Sequence, residues 1–115
     1  MKLSDIVQRI FIDPRKLTQY ALNLDSPYGK HKAILFDKLL GFTKENYAGL
    51  ISQIQNKSLD AEAIFHSQDQ FGKRYTVDVE VDGVIENKRA IVRTGWLVSV
   101  GSNEAHLVTL YVIRR

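Results

Sequence analysis

Four residues of this chain have the side-chain types that phosphodiester chemistry asks for: His31, Arg93, Thr109 and Tyr111. An imidazole moves a proton near neutral pH, a guanidinium holds phosphate oxygens through parallel N–H donors, and hydroxyls donate to oxygens that gain charge in a transition state. His31 stands between Lys30 and Lys32 at the start of a predicted helix. There the free amides and the helix dipole favour an anion. Arg93, Thr109 and Tyr111 all belong to the stretch from Lys88 to Arg115, KRAIVRTGWLVSVGSNEAHLVTLYVIRR. Cleavage of RNA without a metal needs a general base or acid for the 2′-hydroxyl and the leaving oxygen, plus cations and hydroxyl donors on the phosphorane-like transition state. These residues are the candidate catalytic set, with Lys30, Lys32 and Arg89 as candidate substrate-binding cations. The set works only if His31 comes within reach of Arg93 or Tyr111.

Other chemistries lack their parts. The sequence has no phosphate-cradling glycine-rich loop, no His-Glu-x-x-His helix, no nucleophile elbow and no acids at calcium-loop spacing. Cysteine is absent, which removes disulfides, thiol chemistry and cysteine-ligated zinc. No metal and no cofactor is expected. A formal net charge of +3 permits an anionic partner such as RNA without demanding one. Lys30, Lys32, Lys38 and Lys44 form one basic set, and Lys88, Arg89, Arg93, Arg114 and Arg115 form a second.

The elements that must position these residues can be read from the same chain. With 115 residues, 44% hydrophobic and 25% charged, residues 1–115 make a single globular domain able to bury its own core. The opening MKLSDIVQRIFID is interrupted by Asp5 and Arg9, so it reads neither as a signal peptide nor as a membrane span, and a cytoplasmic site of action is expected. Met1 to Ile12 fits a short helix or an edge strand equally well. Asp13-Pro14 starts a helix with Leu17, Tyr20, Ala21 and Leu24 on its apolar face, ending near Asn23 to Asp25. Ser26-Pro27 starts another, running to Leu40 before Gly41, with Ile34, Leu35, Leu39 and Phe42 on the core side and His31 one turn before Leu35. Thr43 caps a third, in which Tyr47, Leu50, Ile51 and Ile54 repeat the pattern.

Strands follow the helices. Ala61, Ala63 and Phe65 alternate as a first strand, with Ser67 to Gln70 as a polar loop. Arg74 to Val81 alternates Tyr75, Val77, Val79 and Val81 against Thr76, Asp78 and Glu80, the pattern of a half-exposed strand, and Asp82-Gly83 marks a turn. The stretch from Lys88 gives two more strands around the turn Gly101-Ser102-Asn103-Glu104. The first of these is apolar on both faces and should be central. The expected fold is α+β: two to three N-terminal helices packed on one face of a three- to four-stranded antiparallel meander sheet. Arg93 and Thr94 then point to opposite faces, so only one of them can serve a given cleft. Arg93 is the functional choice because an enclosed guanidinium needs an anion, although pairing with Asp78 or Glu80 on the next strand would satisfy it structurally. Trp96 reads as a core anchor.

The segments IDPRKLTQYALN, SPYGKHKAILFDKLLGF, KRAIVRTGWLV and HLVTLYVI resemble an uncharacterised bacterial domain of unknown function found alone and at the C-termini of large secreted proteins. The resemblance is carried by Lys16-Leu17, Gly29 to Ala33, Leu40-Gly41-Phe42, Arg93-Thr94-Gly95-Trp96 and Leu107 to Tyr111, and departs where the family often shows Tyr-Pro and this chain has Tyr111-Val112. The order of helices and then sheet is also similar to the ribonuclease toxins of the barnase, EndoU, colicin and RelE type. That resemblance implies His31, Arg93, Thr109 and Tyr111 as an active site and a cognate immunity or antitoxin protein as partner. The leading expectation is therefore a metal-independent RNA-cleaving toxin-like domain acting on tRNA or another RNA. The alternative is a non-catalytic interaction module, such as an antitoxin, immunity or phage-associated partner protein.

Overall fold

The computed structural model describes residues 1–113; Arg114 and Arg115, the end of the second basic set, lie outside the described residues. Five strands form one sheet: β1 (Arg9–Phe11), β2 (Ala63–Asp69), β3 (Gly72–Asp82), β4 (Arg89–Ser99) and β5 (Glu104–Ile113). Their spatial order is β1-β5-β4-β3-β2, which puts β4 in the centre as its two apolar faces predict. The long strands β2 to β5 form the expected antiparallel meander. The sheet is nevertheless mixed and larger than expected, because β1 joins β5 in parallel, Arg9 beside Glu104 and Ile10 beside Ala105. Met1 to Ile12 resolves into both forms its sequence allows, a 3-10 turn at Leu3–Asp5 and then the edge strand. β2 also runs further than expected, through Ser67 to Asp69, and turns at Gln70 and Phe71. At the other end of β3, Gly83 opens a broader loop to Lys88 instead of a two-residue hairpin, with Asn87 left-handed at φ 66°.

The helices cover one face. The predicted first helix is a short π-helical turn, Leu17–Ala21, capped at its approach by Asp13, whose Oδ1 accepts from the Arg15 amide. Leu22 donates to the Leu17 carbonyl, and the wider turn carries Leu22 into the core while Leu24 stays exposed. Helix α1 (Lys30–Leu40) is introduced by Ser26, whose Oγ accepts from the Gly29 amide, and stops at Gly41, which is left-handed at φ 78°. Helix α2 (Tyr47–Lys57) begins four residues beyond Thr43, because Asn46 takes over the end of α1: its Nδ2 donates to the Gly41 carbonyl and its Oδ1 accepts from the Thr43 amide.

Leu50 and Ile54 of α2 are buried as predicted, but α1 is rotated from its predicted phase. Ala33, Phe36 and Leu40 face the core, and Leu39 is exposed. These residues close over Val77, Val79 and Val81 of β3, Val92 and Trp96 of β4, and Leu110 and Val112 of β5. Each large apolar side chain so buried contributes about 1.5–3 kcal/mol over leaving it in water. No helix is long and apolar enough to cross a membrane among the described residues.

Candidate functional site

Register fixes which polar residues share the face opposite the helices. Arg93 pairs with Asp78 on β3 and Tyr111 on β5, and Gly95 pairs with Thr76 and Thr109. All six therefore stand on one face, which the helices leave open. Thr94 points the other way. Its hydroxyl donates to the Val77 carbonyl at 2.6 Å and accepts from Trp96 Nε1 at 2.7 Å, so both are satisfied inside the core.

A cleft of about 200 Å³ opens over Gly95, bordered by His66, Arg74, Thr76, Arg93, Thr109 and Tyr111. Gly95 is its floor because any β-carbon there would stand 2.9 Å from Thr109 Cγ2 and fill the space. Two bulges shape the rim. Val108 is the extra residue on β5 opposite Gly95 and Trp96, and His66 is the extra residue on β2 between Phe65 and Ser67. A bulge interrupts alternation and re-aims side chains, and His66 lies beside the cleft for this reason. Its Nδ1 is 3.0 Å from Ser67 Oγ, which leaves Nε2 as the nitrogen without a protein partner among the described residues.

Lys32 reaches the same face from α1. β1 covers only Glu104 to His106 of β5, so the π-helical turn and the start of α1 pack against the remainder of that strand. Lys32 Nζ donates to Tyr20 Oη at 2.8 Å and to Thr109 Oγ1 at 3.1 Å. It also lies 4.6 Å from the Tyr20 ring centroid and 5.4 Å from that of Tyr111. Among the described residues no carboxylate pairs with it.

The other cations are partnered. Arg93 donates Nε and Nη2 to the two oxygens of Asp78 at 2.9 and 3.0 Å, the fork geometry of a guanidinium on a carboxylate. Those bonds, with a smaller contribution from the Tyr111 hydroxyl, raise the Arg93 pKa further above its ordinary value. Arg74 donates to Asp69, whose carboxyl is held below the usual range by the Phe71 amide first and by Arg74 second.

Of the predicted catalytic residues, Arg93, Thr109 and Tyr111 come together and His31 does not join them, so the catalytic set built on His31 does not assemble and any proton acceptor at the cleft is a different residue. His31 is exposed, borders no part of the cleft and makes no side-chain hydrogen bond among the described residues. The rotated phase of α1 accounts for this. Lys32 lies one turn before buried Phe36 and is carried to the sheet, whereas His31 lies one turn before the partly exposed Leu35. Lys30 is exposed beside it, and Arg89 sits at the far end of β4 on Glu80 and Asp82, at 3.4 and 3.6 Å. The histidine at the cleft is His66, which the sequence hides at the end of a strand of poor alternation; reading Asp69 to Gly72 as the hairpin turn would have placed it beside Arg74 and Thr76.

Among the described residues no group of three or more His, Asp or Glu gathers as for a metal ion. What the arrangement offers is two guanidiniums, three hydroxyls and an imidazole around a small open cleft, with one uncompensated ammonium behind its Thr109 hydroxyl. No curated protein and no solved structure matches the chain. A family model does, over residues 2–114, and the chain accordingly belongs to the family described as a domain of unknown function, DUF6883.

Proposed function

We propose that the open face of the sheet cleaves RNA without a metal ion. The observation that carries this reading is Lys32, a partly buried ammonium with no carboxylate among the described residues, held by Tyr20 and by the Thr109 hydroxyl of the face that carries Arg93 and Tyr111. A cation enclosed in this way is stabilised by an anion from outside, and a phosphodiester fits the adjoining donors. His66 takes the proton of the 2′-hydroxyl, the 2′-oxygen bonds to phosphorus, the P–O5′ bond breaks, and Tyr111 gives its proton to the departing 5′-oxygen. Lys32 and Arg93 hold the non-bridging oxygens as charge builds on them, with Thr109 positioning Lys32. The products carry a 2′,3′-cyclic phosphate and a 5′-hydroxyl. Incubation of the protein with tRNA in EDTA is expected to give fragments with those ends. Intact tRNA at high protein concentration overturns the reading.

A second reading, a non-catalytic module that docks an antitoxin, immunity or phage-associated protein, is supported by a different observation. Strand β2 is an edge with Ile64 and Phe65 exposed, and Asp78 already supplies Arg93 with an anion. It predicts a stable complex with a neighbouring gene product that His66→Ala leaves unchanged, and normal growth of cells that produce the chain alone.

A further inference from the structure

The π-helical turn and β5 enclose a concavity of about 620 Å³ that shares Val108 and Thr109 with the cleft and adds Lys16, Tyr20 and the Asp13–Arg15 pair. Two backbone irregularities meet there. Tyr20 belongs to the π-helical turn and Val108 is the bulged residue of β5, and both devices re-aim side chains and recur beside functional sites. Gly29 lets the turn lie tightly on the approach to α1, since any β-carbon there would stand 2.0 Å from the Tyr20 carbonyl oxygen. The hydroxyls decide what the concavity can hold. Lys32 Nζ donates to Tyr20 Oη and to Thr109 Oγ1, and an ammonium has no lone pair, so each hydroxyl accepts from it and keeps its own proton to donate. Among the described residues neither proton has an acceptor. The ammonium behind them polarises both O–H bonds and makes them stronger donors.

We propose that this concavity binds a small organic acid, whose carboxylate accepts from the Tyr20 and Thr109 hydroxyls. Two oxygens answer two O–H donors, and the charge is matched by Lys32 behind them and by Lys16, which is exposed at the rim and pairs with no carboxylate among the described residues. Arg15 is not available, because Asp13 occupies its guanidinium. The Asp13 carboxyl, held down to about 2 chiefly by Arg15, is charged at neutral pH and disfavours a dianion such as a phosphate monoester at the same rim. The volume is that of a small-molecule site, which spans about 300–1,000 Å³. This site goes beyond the RNA-cleavage reading and does not rest on it, since it uses the protons of the hydroxyls and leaves the third N–H of Lys32 for a phosphate.

The probe is benzoate, followed through the amide NMR spectrum of the full chain, with benzamide as its neutral isostere and inorganic phosphate as the competing anion. Benzoate is expected to move the amides of Lys16, Tyr20, Val108 and Thr109 along one saturable curve and to bind at least about tenfold more tightly than benzamide or phosphate. Tyr20→Phe keeps the ring and removes the donor, and is expected to weaken benzoate about tenfold, the loss of one hydrogen bond to a charged group. Thr109→Val keeps the branched shape and is expected to do the same, so the result does not hang on the folding of one variant. Lys38→Ala, at an exposed position of α1, is expected to leave the affinity within about twofold. No saturable shift, equal affinity for benzamide, or full affinity in both Tyr20→Phe and Thr109→Val overturns the site. Phosphate binding as tightly as benzoate overturns its assignment to a carboxylate. A tRNA left intact removes the cleavage reading and leaves the benzoate titration as it stands.

Discussion

The Lys32 ammonium and the Thr109 hydroxyl, 77 residues apart in the chain, meet at 3.1 Å where α1 passes the uncovered edge of β5. This bond fixes a positive charge behind the Thr109 hydroxyl that borders the cleft, and Tyr20 holds it from the other side. Lys32→Met keeps the length and apolar stem of the side chain while removing the charge. It is expected to lower RNA cleavage by about 10²–10³-fold, the usual loss when a transition-state donor is removed. The substitution loses two charge-assisted hydrogen bonds but also relieves an ammonium enclosed without a carboxylate, so the net stability change is expected to be small, about 1 kcal/mol or less. Full activity in Lys32→Met would show that the charge serves no substrate.

His66 and His31 provide a matched pair of substitutions, since both are exposed and neither supports the core. His66→Ala is expected to reduce cleavage about 10²–10⁴-fold, as for loss of a general acid or base, with an unchanged melting temperature. His31→Ala is expected to leave the rate within about twofold. The reverse pattern would return the catalytic role to the start of α1 and would make the position of His66 on its bulge incidental.

The contrast between these histidines also shows what the chain discloses locally. β4 was legible because residues at both parities are apolar, and strand geometry then required Arg93 and Thr94 to part company. The valines of β3 declared their face through clean alternation. The phase of α1 was not legible: Ala33, Ile34, Leu35 and Phe36 are consecutive apolar residues, and with Leu39 and Leu40 they support two stripes about one residue apart. Only the sheet beneath chooses between them, and that choice exchanges His31 for Lys32. β1 was half legible: an edge strand was one of the two forms that Met1 to Ile12 allows, but its three-residue length and its parallel partner in β5 at the other end of the chain were not. His66 escapes for a third reason, because a bulge breaks the alternation by which strands are recognised.

Thr94 tests the opposite side of the sheet. Its hydroxyl is the sole acceptor given to Trp96 Nε1 among the described residues, and both residues are fully or almost fully buried. Thr94→Val preserves the shape and strands the indole N–H, at an expected cost of about 1–3 kcal/mol. Thr94→Ser is expected to recover most of that in urea unfolding. In Thr94→Val combined with Trp96→Phe the loss should fall short of the sum of the single losses, because the stranded donor is gone. Strict additivity would mean that the hydroxyl and the indole do not depend on each other.

Asp13 provides the pH prediction. Its carboxyl is lowered from 3.8 to about 2, chiefly by the Arg15 guanidinium that donates to it and then by the Arg15 amide. A folded-state pKa below the unfolded value means that the unfolded chain takes up the proton first. The contribution is therefore complete above about 3.8 and is lost as pH falls through about 2. Asn at this position still caps the turn but carries no charge. The advantage of the wild type over Asp13→Asn should accordingly shrink between these two values and remain constant above them. In an NMR titration the Asp13 carboxyl is expected to have its midpoint near 2, moving upward in Arg15→Ala but stopping short of the unperturbed value, because the residue 15 amide still donates. A midpoint at the ordinary carboxylate value in the wild type would mean that the Arg15 pair does not hold the entrance to the turn that carries Tyr20, and with it one of the two hydroxyls on Lys32.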